Sequence, residues 1–172
     1  MAHSKHREYC ILAAQYMRKM AWCDVVAYEM RWGRRGVVDA VGIRSAKIGK
    51  SQATSKRRIQ VVEVKVSRPD LLQDLRNRKM LKYAKGSSHC ILAVHVDCFK
   101  AGATKNDILN ELRELGLPDY WGVWLMPANK QVKAIRSLRR AKAIASITTQ
   151  RSNYLTIKIA RSLSARVMDK NV

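Results

Sequence analysis

Hydrophobic positions along this chain follow a helical period in some segments and a strand period in others. Residues 5–21 place apolar side chains three or four positions apart, which is typical of one face of a helix. Apolar runs typical of strands occupy 24–31, 37–43, 58–67, 89–96 and 121–126. The polar, lysine-rich and arginine-rich segment 44–58 separates two of these runs and predicts a basic loop between paired strands.

Helical patterns fill most of the remaining chain. Leu71, Leu72 and Leu75 give 70–84 an apolar side, and Thr104 with Asp107 resembles the start of a helix that ends at Gly116. The segment 133–170 is basic and predicted to be helical. The order α-β-β-β-α-β-α-β-α predicts an α/β fold, a central mixed β-sheet flanked by helices. We expect a single domain over 1–172, with its core at about 5–127 and basic C-terminal helices at about 133–170.

Composition points to a polyanionic partner. Lys and Arg number 34 against 13 Asp and Glu, a formal charge of +21, while 47% hydrophobic residues suffice for a core. Such an excess is best tolerated beside an anion, so nucleic acid is the expected partner and an anionic membrane surface the weaker alternative. The chain contains no apolar run long enough to span a membrane, and its first residues do not resemble a signal peptide. We therefore expect a cytoplasmic, nucleoid-associated protein, in the host cytoplasm if a phage encodes it.

The four cysteines fit small core residues better than metal ligands. His89, Cys90, His95 and Cys98 lie close in sequence, but alternate residues of a strand face opposite ways, which argues against a shared zinc site. His3, His6 and Cys10 form a similarly weak cluster near the start. Reduced, intracellular cysteines are the expected state.

Acidic residues inside two apolar strands are the strongest chemical signal. Asp39 lies in VVDAVGI, and Glu63 and Lys65 lie in VVEVKVS, where positions two apart share a face. Burying such charges is costly unless they are paired or bind a cation. If the two strands pair, both carboxylates approach one point, and with a backbone carbonyl and waters they suit Mg²⁺. A buried Glu63–Lys65 ion pair is the simpler alternative.

This arrangement resembles a known superfamily. An Asp followed by E-x-K across a hairpin, and then a helix, is similar to the PD-(D/E)XK nucleases with their restriction-endonuclease-like core. The run VVEVKVSRPDLLQDLRNRKMLKY more narrowly resembles the MmcB-like DNA-repair nuclease family. Its matching positions are Glu63, Lys65, Ser67, Asp70, Asp74, Arg78, Lys79 and Tyr83. The likeness is strong across about 59–96 and weaker over about 5–168.

The resemblance implies a role for each residue of this set. Asp39, Glu63 and the carbonyl of Val64 would bind Mg²⁺ or Mn²⁺, and Lys65 would be the catalytic lysine. An acidic residue on the first helix often assists, and Glu8 is the candidate, with Glu29 as another option. Asp70 and Asp74 could orient Lys65 or form local helical pairs such as Asp74 with Arg78.

Basic side chains near this hairpin are the expected contacts to phosphates. The residues are Arg44, Lys47, Lys50, Lys56, Arg57, Arg58, Arg78, Lys79 and Lys82. No motif for reading base sequence is present, so duplex, branched and single-stranded DNA all stay open as partners. A homodimer also stays open.

The leading hypothesis is therefore a metal-dependent deoxyribonuclease, an endonuclease acting in DNA repair, recombination or phage DNA processing. As the superfamily resemblance implies, it would leave a 5′-phosphate. The alternatives are a non-catalytic nucleic-acid-binding protein on a nuclease fold and a basic scaffold protein of a replication or virion complex.

Overall fold

Six strands and the helices around them form a single mixed α/β domain in the computed structural model. It describes residues 2–32, 36–44, 58–78, 82–84, 86–144 and 153–160. The helices are α1 (Ala2–Lys19), α2 (Arg68–Arg76), α3 (Lys105–Glu114) and α4 (153–160). The strands are β1 (Val25–Arg31), β2 (Val37–Arg44), β3 (Arg58–Lys65), β4 (His89–His95), β5 (Gly122–Met126) and β6 (Arg136–Arg139).

The strands lie side by side in chain order. Strands β1, β2 and β3 pair antiparallel, β3, β4 and β5 pair parallel, and β6 returns antiparallel to β5. The parallel steps need crossovers, and α2 and α3 lie in those two connections. The predicted mixed sheet flanked by helices is thus confirmed. None of the helices among the described residues is long and apolar enough to cross a bilayer.

Helices cover both faces of the sheet. Helix α1 packs on one face, where Val62, Val64 and Ala93 join its side chains in a buried cluster. Leu71 and Leu75 of α2 pack on the other face with β4 and β5, and Leu155 and Ile159 of α4 pack there against β1–β3. Strand β3 is therefore buried on both faces, so charges within it are shielded from water.

Two predicted elements differ from the structure. Helix α2 ends at Arg76 rather than near residue 84, because Asn77 caps it and Arg78 takes a left-handed backbone with φ 48°. The helix predicted from residue 133 is interrupted by strand β6, in which only Leu138 is buried. A strand with one buried side chain carries no alternating pattern, which explains why its sequence did not indicate it.

Candidate active site

Asp39 and Glu63 meet where strands β2 and β3 separate. The ladder between these strands runs from Arg44–Arg58 to Ala40–Val62, so Asp39 and Glu63 occupy the next position. There the backbone N–H of Val64 donates to Asp39 Oδ2 over 2.7 Å. The Asp39 carboxylate therefore lies against the β3 backbone.

A break in side-chain alternation directs Asp39 to this position. Ala40 packs with α1, whereas Val38, two residues earlier, packs in the cluster on the other face. Opposite Asp39 in the β1–β2 register is Glu29, which has a left-handed backbone with φ 48°. Local irregularities of this kind often re-aim a side chain beside a functional site.

Lys65 lies in a group of carboxylates on the α2 side of the sheet. Its Nζ is 3.1 Å from Glu63 Oε1 and 3.4 Å from Asp70 Oδ2, and it contacts Asp74 Oδ2 directly. Ser67 caps α2 and Pro69 occupies its first turn, so only two residues separate the end of β3 from the start of the helix. This short turn places Asp70 and Asp74, one helical turn apart, over the lysine.

Burial and neighbouring charges together set the pKa values of Glu63 and Lys65. Burial raises the pKa of Glu63, and the negative charge of Asp39 raises it further. Burial alone would lower the pKa of Lys65, but Glu63 and the hydrogen bond to Asp74 outweigh it and raise that pKa. Lys65 is therefore a fixed positive charge, whereas burial favours the protonated form of Glu63, and a further cation would stabilise its ionised form.

The donors around Asp39 and Glu63 fit a hard divalent cation. Glu63 Oε2 is buried and lacks a hydrogen-bond partner among the residues that the structure describes. A residue in a strand directs its N–H and C=O to the same neighbour, so the Val64 carbonyl lies on the Asp39 side of β3. Two carboxylates and a carbonyl are the oxygen ligands that Mg²⁺ or Mn²⁺ accept. Three acidic side chains, Glu63, Asp70 and Asp74, share the single ammonium of Lys65, so a divalent cation would help to balance their charge.

Two residues from elsewhere in the chain border the carboxylates. His6 of α1 has its Nε2 3.5 Å from Asp39 Oδ2, and the hydrogen bond to that carboxylate raises the His6 pKa against the opposing effect of burial. The Tyr83 hydroxyl donates to the Val37 carbonyl at the start of β2. Burial and then the negative charges of Glu63 and Asp39 raise the pKa of this tyrosine.

Glu8 does not contact the carboxylates of Asp39 and Glu63. Its Oε2 is 2.6 Å from Lys130 Nζ, and the two exposed side chains form an ion pair beside Tyr9. Helix α1 contributes His6 to the carboxylates instead, two positions earlier. Glu29 pairs with Arg7 at 3.6 Å and lies on β1 across from Asp39.

The predicted phosphate contacts fall into four groups. Lys47, Lys50, Lys56, Arg57 and Lys79 lie outside the described residues. Arg44 and Arg58 pair at the far end of the hairpin, five residues or about 16 Å along the strand from Asp39 and Glu63. Arg78 follows helix α2. Lys82 Nζ lies 4.8 Å from the centre of the Tyr83 ring.

Sequence reasoning gave His6 little weight, although a spacing of four places His6 and Cys10 on one helical face. The sequence predicts only a weak cluster of His3, His6 and Cys10, because nothing in it indicates that Asp39 approaches His6 and Cys10. All four cysteines are buried and outside disulfides. No protein-family model and no curated protein matches this chain.

Proposed function

We propose that this protein is a metal-dependent deoxyribonuclease of the PD-(D/E)XK type that hydrolyses DNA phosphodiester bonds. One observation carries the proposal: Glu63 is buried beside Asp39 with an unpartnered carboxylate oxygen, while its other oxygen holds Lys65. An ion pair alone would leave no reason for Asp39 at the same place. A binding site for a divalent cation accounts for both acids and for the lysine.

Each residue has a distinct part in the proposed reaction. Asp39, Glu63 and the Val64 carbonyl would hold Mg²⁺ or Mn²⁺, which when bound polarises the phosphoryl oxygen and acidifies water. Lys65, fixed by Glu63, Asp70 and Asp74, offers a positive charge to the phosphate and to the attacking oxygen. Its three carboxylate partners hold the ammonium in place without needing a substrate.

The overall charge supplies affinity for the substrate. At +21, the chain should bind any polyanion, and we expect Lys82, which lies over the Tyr83 ring, to contribute to that binding. About six phosphate contacts would give a slope near −5 in a plot of log affinity against log salt concentration. DNA contacts of this kind fit recognition of phosphates and shape. A place in DNA repair, recombination or phage DNA processing, in the cytoplasm or at the nucleoid, belongs to the same proposal.

A second candidate is a nucleic-acid-binding protein without cleavage. The observation that favours it is that three carboxylates contact Lys65. A purely structural ion-pair network would surround the lysine in the same way. On this view, DNA binding would be equal with and without Mg²⁺.

Cleavage assays separate the two candidates. The wild type is incubated with supercoiled, linear, single-stranded and branched DNA in Mg²⁺, in Mn²⁺ and in chelator. We expect cleavage of at least one substrate that needs the metal and falls about 100-fold or more in Lys65→Ala. Glu8→Gln is the matched control, since this ion-paired acid lies away from Asp39, and we expect its rate to stay close to that of the wild type. Absence of cleavage in all substrates, or equal cleavage by Lys65→Ala, would contradict the enzymatic proposal.

A further inference from the structure

A second group of metal ligands lies on the α1 side of Asp39. His6, Cys10 and Asp39 each offer one ligand atom, and these atoms all lie within 4.8 Å of one another. His6 Nε2 is 3.8 Å from Cys10 Sγ and 3.5 Å from Asp39 Oδ2. Among the described residues this is the one group of three or more histidine, cysteine or acidic side chains whose ligand atoms lie this close together.

These separations match those of a tetrahedral ion. A metal about 2.0 Å from nitrogen and about 2.3 Å from sulfur keeps those two ligand atoms about 3.5 Å apart. The observed distances from His6 Nε2 therefore need only small side-chain shifts. His6 and Cys10 are fixed relative to each other by their i, i+4 spacing on α1, and Asp39 is fixed by the Val64 N–H.

The ligand chemistry differs from that of the oxygen site. A thiolate and an imidazole select Zn²⁺ and similar transition ions, whereas Mg²⁺ takes oxygen ligands. Cys10 is fully buried, but the side chain of His6 is 31% exposed, so an ion could enter from that side. Three protein ligands would leave the fourth position of a tetrahedral ion to water.

We propose that His6, Cys10 and Asp39 form a binding site for a thiolate-preferring transition ion of the Zn²⁺ class. On binding, the S–H bond of Cys10 breaks, its proton passes to water, and a sulfur–metal bond forms without any change of oxidation state. The site shares Asp39 with the oxygen site. If the proposed nuclease function holds, Zn²⁺ here would therefore take a ligand from Mg²⁺ and inhibit cleavage.

Cobalt titration without DNA tests this site. Co²⁺ substitutes for Zn²⁺ and gives a charge-transfer absorption when a thiolate binds it. We expect about one equivalent to bind the wild type with that absorption, and excess Zn²⁺ to abolish it. Cys10→Ser should lose the absorption, and His6→Gln should bind Co²⁺ about ten-fold more weakly or worse. Because His6 is only half-buried, His6→Gln keeps the test valid if Cys10→Ser fails to fold.

Two controls make the result specific. Cys23→Ser changes another buried cysteine that packs in the same cluster as Cys10, and it should keep the absorption. Glu63→Gln should keep it too, because Glu63 belongs only to the oxygen site; failure of this proposal and failure of the nuclease proposal are thus distinguishable. No thiolate absorption in the wild type, or an absorption that persists in Cys10→Ser, would overturn the inference.

Discussion

Strands β3 and β4 are parallel neighbours at the centre of one sheet, yet they bury different chemistry. In their register Glu63 lies beside Leu92 and Lys65 beside Val94, and all four side chains are buried. The interior of β4 is apolar up to His95, whereas β3 introduces a carboxylate and an ammonium at the same depth. Apolar residues would stabilise both strands, so the charges on β3 indicate a function that stability alone does not supply.

The surroundings of the two strands explain how β3 can carry its charges. The pairing of β2 with β3 ends beside Glu63, and Asp70 and Asp74 of α2 cover Lys65. Strand β4 lies between β3 and β5 with Leu112 and Trp121 packed nearby. The buried charges of β3 therefore lie where its antiparallel pairing with β2 ends and α2 begins to cover it.

The largest expected effect on stability comes from removing the cation of β3. Lys65→Met leaves Glu63 and Asp74 buried without their ammonium partner, so we expect the free energy of unfolding in chelator to fall by about 3 kcal/mol or more. Urea unfolding measures it. Lys100→Met, at an exposed lysine, is the control and should change the same quantity by less than about 0.5 kcal/mol. A loss of stability in Lys65→Met as small as that in Lys100→Met would mean that Glu63 and Asp74 tolerate burial without an ammonium partner.

A substitution at the neighbouring position on β4 should lower the free energy of unfolding without changing the affinity for metal. Leu92→Ala leaves a cavity in a fully buried site, and we expect a loss of about 3 kcal/mol by urea unfolding. Its affinity for Mg²⁺ at neutral pH should equal that of the wild type. A large drop in that affinity would show that the two strands are not separable in function.

A smaller effect concerns the one histidine that β4 fully buries, His95. His95 Nδ1 accepts from the Asp97 N–H, and its Nε2 bonds the Tyr9 hydroxyl, so the imidazole is neutral. Burial lowers its pKa below the usual 6.5, against the weaker effect of Asp97. Between 6.5 and the lowered pKa the unfolded chain binds more protons, so the free energy of unfolding falls as pH falls through that window.

Urea unfolding at pH 7.5 and at pH 5 measures the contribution of His95. We expect the loss between the two pH values to be smaller in His95→Gln than in the wild type. Identical losses in the two proteins would remove His95 as the cause. In that case no pH dependence of the free energy of unfolding could be assigned to the buried histidine of β4.

The meeting of Asp39 with Glu63 could be predicted from sequence because it depends on pairing two apolar strands that each contain an acid. The contact of Asp74 with Lys65 was one of two options that helical spacing left open, since the same residue could have paired with Arg78. His6 could not be placed, because its approach to Asp39 depends on the angle of α1 over the sheet. Strand β6 and the early end of α2 depend on tertiary pairing and on single backbone angles, which residue patterns do not encode.

The central claim is that Glu63 and Asp39 are buried together to bind a divalent cation, and calorimetric titration of Mg²⁺ tests it without any knowledge of the substrate. Wild type and Glu63→Gln are titrated at the same pH, with Leu92→Ala as the control on β4. We predict that the wild type and Leu92→Ala bind Mg²⁺ alike and that Glu63→Gln binds about ten-fold more weakly or worse. Equal Mg²⁺ affinity in the wild type and Glu63→Gln, or no binding by the wild type, would contradict the account.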